Sequence, residues 1–300
     1  MINPFEVFRR PEYFYRPSQV VRRLQRIFTG PPPAQATVRL PWGETMQIHP
    51  RETIGTGIWH YGVFDLIVTE AICRLLDAGE TALDIGANMG QMTSLMRHRA
   101  GPAGRVHSFE PHPQLFAELS ALVRPAVKRE DAAPVELHQL ALSDQAGEAC
   151  FDLGADWAEN RGLGKVVTGT PAAGGQKLTV RLGVLDEILP AKIQIGVCKI
   201  DVEGHELQVF RGATRLFRER RIRDLIFEDF GKYPSAVHQF LLGQGYTIFA
   251  LHSSLWRPRL VPVGDGTQSF KVCDGENYLA TFDPERARAR FQSAGWRVLR

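Results

Sequence analysis

From residue 79 onward, short apolar runs alternate with stretches whose apolar positions recur every three to four residues. The runs at 81–85, 105–109, 135–142, 195–200 and 222–227 predict strands, and the stretches at 89–100, 112–124, 204–219 and 235–243 predict helices. Strand and helix alternating at this spacing build a mainly parallel sheet with helices on both faces, because parallel neighbours need a long crossover between them. Leu178-Thr179-Val180-Arg181 and Leu185-Asp186 add a strand and a short helix before the fourth main strand. Tyr278-Leu279-Ala280-Thr281-Phe282 supplies the last strand and 284–291 a closing helix, while Gly169 to Gly175 reads as a surface loop.

Upstream the pattern is different. Thr37-Val38-Arg39-Leu40 and Met46-Gln47-Ile48 form a β-rich patch before a helix over 64–77, with Trp59-His60-Tyr61 ahead of it suited first to core packing and second to a lid over a ligand. Val20, Val21, Leu24, Ile27 and Phe28 recur at helical intervals with Arg22, Arg23 and Arg26 between them, and Pro31-Pro32-Pro33 stops this basic amphipathic helix. Three regions follow: a basic appendage over 1–33, a β/α extension over 34–78 and an α/β domain over 79–300.

Charge sharpens that division. Residues 1–30 hold six arginines against two glutamates, although the whole chain carries only +3. The basic character is therefore N-terminal, which argues against a nucleic-acid-binding domain and offers residues 1–30 to an anionic membrane surface or a glycan-assembly partner, unless the helix packs on its own domain. At 44% hydrophobic and 23% charged the composition is that of a folded globular chain. No apolar run approaches the roughly 20 residues of a membrane span. Cys73, Cys150, Cys198 and Cys273 share no metal-ligand or redox spacing, so the expectation is a cytoplasmic protein with reduced thiols, peripheral to a membrane at most.

Candidate chemistry gathers at the strand ends, where α/β sheets bind ligands. Leu83-Asp84-Ile85-Gly86-Ala87-Asn88-Met89-Gly90 turns the first strand into a helix, and glycine at 86 and 90 lets backbone approach a ligand closely. A dinucleotide fingerprint would need glycine at 88 and 91, where Asn88 and Gln91 stand. Glu110 ends the next strand, placed to accept hydrogen bonds from a ribose hydroxyl pair. Ser143 and Asp144 end the third strand, a position that suits either contact with an adenine edge or an ordinary Ser-Asp turn. Lys199-Ile200-Asp201-Val202-Glu203-Gly204-His205-Glu206 crowds ionisable groups at the fourth, in positions that also suit helix capping, and Phe227-Glu228-Asp229 ends its neighbour.

Taken together, Asp84 to Gly90, Phe109-Glu110-Pro111, Ala141 to Asp144 and Lys199 to Glu206 resemble the FkbM-type methyltransferases over about residues 79–232. The resemblance implies an S-adenosylmethionine-dependent O-methyltransferase with a Rossmann-like fold of class I, whose seven-stranded sheet has an antiparallel last strand. It implies that Asp84, Gly86, Asn88 and Gly90 line the methionine part of the cofactor, that Glu110 holds the ribose, and that Ser143 and Asp144 lie near the adenine. The acceptor would be a hydroxyl of a sugar, a glycolipid or polysaccharide precursor, or a secondary metabolite. Glu159-Asn160-Arg161-Gly162 looks like the family's asparagine-glycine loop, with arginine where a small residue is usual.

Methyl transfer to a hydroxyl needs in-line alignment and a base to take the proton. His205, Asp201 and Glu228 are the candidates, His205 by its intrinsic pKa and Asp201 as its orienting partner or as the base itself. No metal is expected, although Asp201 with Glu228 or Asp229 is a donor set that magnesium accepts. His107 and His112 flank Glu110 without a ligand spacing and read as structural or solvated. Two other classes remain open: a nicotinamide-dependent oxidoreductase on a similar fold, and a non-catalytic glycan-assembly scaffold that keeps it.

Overall fold

The computed structural model describes residues 10–28, 30–124, 131–154, 157, 159–167, 176–231, 233–263 and 277–300. The loop expected at 169–175 and Cys273 lie outside the described residues. Helices α1 (Pro11–Tyr15) and α2 (Pro17–Phe28) begin at prolines, whose fixed φ suits a first turn. A hairpin follows, β1 (Ala36–Arg39) antiparallel to β2 (Thr45–Ile48). Glu52 caps α3 (Thr53–Tyr61) by accepting from the amides of Ile54 and Gly55, and Gly62 at φ 87° ends it. Trp59, His60 and Tyr61 are thus the last turn of a helix of their own. Asp65 accepts from the Val68 amide to start α4 (Leu66–Leu75), so the helix expected over 64–77 is trimmed at both ends.

Tyr13 is buried and Arg26 lies 3.5 Å over the ring of Trp59, while Arg23 donates to the Tyr13 hydroxyl. Two of the three helix arginines thus face inward onto aromatic rings. Phe14, Val21 and Leu24 are left exposed, with Trp256 packed edge-on against Phe14.

The α/β region opens with β3 (Thr81–Ile85), α5 (Gln91–Ala100), β4 (Arg105–Phe109), α6 (Pro113–Val123) and β5 (Val135–His138). The run expected at 135–142 breaks here. Its second half, β6 (Ala141–Leu142), joins a separate sheet with β7 (Gly147–Asp152), β8 (Lys165–Val167) and β9 (Lys177–Gly183) in the order β6-β9-β7-β8. Then come α7 (Leu185–Ile188), β10 (Ile195–Ile200), α8 (Glu206–Arg211), α9 (Thr214–Arg218), β11 (Ile222–Glu228), α10 (Ala236–Gly243), β12 (Thr247–His252), β13 (Arg259–Pro262), β14 (Asn277–Thr281) and α11 (Pro284–Gln292). The single helix expected over 204–219 is split at Gly212, where a side chain would meet the Ser143 carbonyl oxygen at 2.1 Å.

The main sheet runs β13-β12-β14-β11-β10-β3-β4-β5. Its strands β11, β10, β3, β4 and β5 are parallel neighbours, and β14 is antiparallel to both β11 and β12. Without β13 this is the Rossmann-like seven-stranded sheet expected; β13, hairpinned onto β12, makes it eight. Leu83, Ile85, Val197, Cys198 and Ile200 are all buried, since helices cover both faces, which is why these strands read as continuous apolar runs. One core joins α4, α5, α11 and the hairpin to one face, and a second joins α8, α9 and α10 to the other.

Candidate active site

Parallel register aligns the carboxyl ends of four central strands. Phe109 pairs with Ile85, Ile85 with Ile200, and Ile200 with Phe227. The residue after each of these therefore falls on one row: Glu110, Gly86, Asp201 and Glu228. A cavity of about 670 Å³ opens over this row, within the size range of small-molecule sites. Its far walls come from Thr56, Tyr61 and Phe64 of the N-terminal extension and from Leu142, Trp157 and Arg161 of the inserted sheet and its loop. Thr53 holds that loop by donating its amide and hydroxyl to the Glu159 carbonyl.

The turn after β3 depends on backbone that side chains would block. Gly86 has φ 74° and Gly90 φ 95°, and Asn88 takes the left-handed region at φ 51° with its Oδ1 accepting from the Met89 amide. The Glu110 carboxylate sits against this turn, one oxygen accepting from the Asn88 amide and the other from the His112 amide, each at 2.8 Å. Burial pushes Glu110 up to about 7 in spite of those two bonds.

Lys199, barely exposed, donates to the Gly86 carbonyl at 2.8 Å and lies 3.5 Å from Asp201 Oδ2 and 3.8 Å from Asp84 Oδ1. Although burial opposes its charge, Asp201 and Asp84 hold its pKa above the ordinary lysine value. The lysine thus ties the tips of β3 and β10 together as a buried cation, a role that its place in the sequence motif did not disclose.

Three carboxylates converge beyond it. Asp201, Glu203 and Glu228 each place an oxygen within 4.8 Å of the other two. Burial first, then the charges of Asp201, Asp65 and Glu203, push Glu228 up to about 8. Burial, Asp201 and Glu206 push Glu203 up to about 7. Glu203 reads in sequence as a helix cap, but its φ of 53° followed by Gly204 at 89° turns it back to the cavity. Glu206, the first residue of α8, holds this loop rather than capping the helix, its Oε1 accepting from the amides of Val202 and Gly204.

Several expected placements need correction. Asp84 does not line the cavity: it is fully buried, with Oδ2 accepting from Thr93 Oγ1 at 2.5 Å. The Ser143 hydroxyl lies 3.0 Å from His205 Nε2 in a buried pair, and Leu142 rather than Ser143 or Asp144 reaches the cavity wall. His205 therefore bonds to Ser143, not Asp201, because the two positive-φ residues between Asp201 and His205 redirect the chain. Burial lowers the His205 pKa. Asp229 leaves the carboxylate group altogether, accepting from the Gly231 amide and the Ser235 hydroxyl and lying 3.1 Å from His238 Nδ1. Arg161, in the cavity wall, forms a two-pronged pair with Glu118 at 2.6 and 2.8 Å. Gly86, Asn88, Gly90, Glu110, Asp201, His205 and Glu228 do line the cavity.

Comparison with known proteins bears on this arrangement. The methyltransferase FkbM domain matches residues 84–248. The 31-O-demethyl-FK506 methyltransferase FkbM of Streptomyces tacrolimicus is 31% identical over 209 residues, covering 60% of this chain and 78% of that protein. The hexuronic acid methyltransferase AglP of Haloferax volcanii is 28% identical over 165 residues, 52% of this chain and 60% of its own. The crystal structure of methyltransferase FkbM from Methylobacillus flagellatus KT aligns with a TM-score of 0.44 at 15% identity, covering 68% of this chain and 43% of that one. The matched domain takes in more than half of the chain and all four residues of the strand-tip row, so the chain belongs to the FkbM family of methyltransferases.

Proposed function

We propose that the cavity binds S-adenosylmethionine and that the chain transfers a methyl group to a hydroxyl of a sugar, a glycolipid or polysaccharide precursor, or a secondary metabolite. The observation that carries this reading is the strand-tip row, which sets a glycine turn, a buried carboxylate and a carboxylate cluster side by side over one cavity. The fit to the cofactor is supported by three features. Gly86 and Gly90, both at positive φ, bend the backbone tightly at the cavity's edge, Glu110 has both oxygens held by backbone amides with lone pairs left for ribose hydroxyls, and the carboxylates favour a cationic sulfur. Bound there, the cofactor supplies an electrophilic methyl group.

The remaining work falls to the chain. Holding acceptor oxygen, methyl and sulfur in line is the larger part, since an activated leaving group leaves alignment as the main barrier. Glu228 is the general base in this reading, with Asp201 holding the acceptor hydroxyl beside it. A carboxylate raised to about 8 has the proton affinity suited to taking a hydroxyl proton near neutral pH. His205, bonded to Ser143 behind it, is a wall residue and takes no proton in this reading. One relative is named for 31-O-demethyl-FK506 and the other for a hexuronic acid, which supports an acceptor among secondary metabolites or sugars, with oxygen as the accepting atom in the first.

Calorimetry with adenosylhomocysteine tests the reading. One site per chain is expected, and Glu110→Ala should weaken it by roughly 1.5 to 3 kcal/mol, the range for hydrogen bonds to a charged group. A chain that binds a nicotinamide dinucleotide and no adenosylhomocysteine is an oxidoreductase instead. One that binds adenosylhomocysteine yet methylates nothing in a broad glycan and polyketide panel supports the scaffold.

A second reading rests on the same trio, since three carboxylate oxygens within 4.8 Å of one another are hard ligands that magnesium accepts. Turnover abolished by chelator and restored by magnesium favours it over Glu228 as base. For the N-terminal region we propose that Phe14, Val21, Leu24 and Trp256 dock on an anionic lipid surface. No helix among the described residues is long and apolar enough to cross a membrane.

A further inference from the structure

A second cluster of ligating side chains lies outside the cavity, on β4 and the edge strand β5. Their parallel register sets His107 opposite Glu136 and Phe109 opposite His138. Residues two apart on a strand share a face, so Glu136 and His138 project on the same side of the sheet as His107. Nδ1 of His107 lies 3.4 Å from Nε2 of His138 and 3.6 Å from Oε2 of Glu136, and His138 Nε2 is 3.7 Å from Glu136 Oε1. Each separation is longer than a good hydrogen bond, which spans about 2.7 to 3.2 Å. They match another geometry. Nitrogen and oxygen donors each about 2.1 Å from a tetrahedral zinc ion stand about 3.4 Å from one another.

The chemistry of the set agrees. Two imidazoles and one carboxylate are a ligand combination for zinc that leaves the fourth position to water, and Glu136, half-exposed, brings the group to solvent. The histidines are held in place before any ion arrives: His107 is buried, and the His138 ring stacks on Phe109 with centroids 4.4 Å apart. Ordinary histidine is mostly neutral above about pH 6.5, the form that binds metal.

We propose that His107, Glu136 and His138 form a zinc site that clamps β5 to β4. Its place in the fold gives the site a consequence for the cavity. The His138 carbonyl accepts the Glu110 amide at 3.1 Å, and the Phe109 carbonyl accepts the amides of Gly86 and Ala87 at 3.0 Å each. An ion joining these strands braces the backbone that carries Glu110 without touching the cavity.

The test uses the full chain, stripped with chelator, re-equilibrated with low-micromolar zinc chloride, desalted and assayed for bound metal by mass spectrometry. Wild type should retain one zinc per chain and melt at a higher temperature with zinc than without. Glu136→Gln changes a half-exposed side chain and should fold normally; it and His138→Gln should bind zinc at least about tenfold more weakly and lose the thermal shift. Glu228→Gln, in the carboxylate trio, and a variant with all four cysteines changed to serine should keep both. Cobalt in place of zinc should give the intense visible absorption of a tetrahedral site in wild type and not in Glu136→Gln. Zinc retained equally by Glu136→Gln and His138→Gln, lost in Glu228→Gln or the cysteine variant, or not retained by wild type overturns the site.

Discussion

A methyl group placed on Gly86 would stand 1.9 Å from the backbone carbonyl oxygen of Asp201. The tips of β3 and β10 are in contact at this point, backbone against backbone, with the Asp201 amide donating to the Ile85 carbonyl at 3.1 Å. Gly86→Ala therefore meets two penalties, the left-handed φ and the overlap. Together they amount to roughly 2 to 5 kcal/mol. Denaturant unfolding should register that loss, and adenosylhomocysteine binding should fall with it; an alanine variant of wild-type stability would show that the two tips separate freely.

The carboxylates give a pH dependence with a definite sign. Glu110, Glu203 and Glu228 have folded-state pKa values of about 7, 7 and 8 against 4.5 for the free side chain. The folded protein thus binds more protons than the unfolded chain between about pH 4.5 and 8, so their contribution to stability falls as pH rises through that window. Because buried histidines with lowered pKa act in the opposite sense below about pH 6.5, the glutamate effect is read as a difference: from pH 6.5 to about 8 the melting temperature of the ligand-free wild type should fall relative to that of Glu228→Gln. A difference between the two that stays constant over that interval contradicts the burial assigned to Glu228.

The base assignment predicts a rate profile. Turnover should rise with pH through about 8 as Glu228 deprotonates, and Glu228→Gln should cost about 10² to 10⁴ in kcat while leaving cofactor affinity nearly unchanged. Glu203→Gln removes a neighbouring negative charge, so the rising limb should move to lower pH. An unmoved limb in Glu203→Gln, with full activity in Glu228→Gln, removes the pair from the mechanism.

Stability at the other end of the molecule rests on a buried ion pair. Arg74 donates Nε to Glu70 at 2.6 Å and its other nitrogens to the carbonyls of Arg290, Ser293 and Gly295, while Glu70 accepts the amides of Arg297 and Val298. Removing one partner leaves the other charge buried. Arg74→Ala should destabilise by about 3 to 5 kcal/mol, read from the denaturant midpoint at unchanged slope.

Leu24→Asp and Phe14→Ser, on the exposed apolar strip, should reduce co-sedimentation with vesicles of phosphatidylserine and phosphatidylcholine and leave adenosylhomocysteine affinity as it was. Equal sedimentation of wild type and both variants would end the lipid proposal.

Much of the fold was readable in the chain because both faces of the central strands are covered. Such strands are uninterrupted apolar runs, and β3, β4 and β10 fall where those runs do. The run at 135–142 misled because apolarity carries no information about which sheet a strand joins, and residues 139–140 lead from one sheet to the other. β13, with only partly covered residues, has no such signature. At the site, Glu110 was legible as the carboxylate that ends the strand after the glycine turn. Glu203 was not, since a glutamate before a helix signals a cap, and only its positive φ aims it elsewhere. His107 stood out as a histidine, yet its partners Glu136 and His138 lie a whole helix away and meet it only through strand register.

The sequence by itself determined β3, β4 and β10, the glycine turn and the residues at those three strand tips, because these follow from local periodicity and from backbone that only glycine accommodates. Tertiary structure alone decided what those tips do to one another. Parallel register brought Glu110, Gly86, Asp201 and Glu228 into a row, burial rather than residue type raised Glu110 and Glu228 toward neutrality, and the positive φ of Glu203 and Gly204 turned His205 onto Ser143. Proton affinity depends on neighbours distant in the chain, and distance in the chain is all that a sequence records.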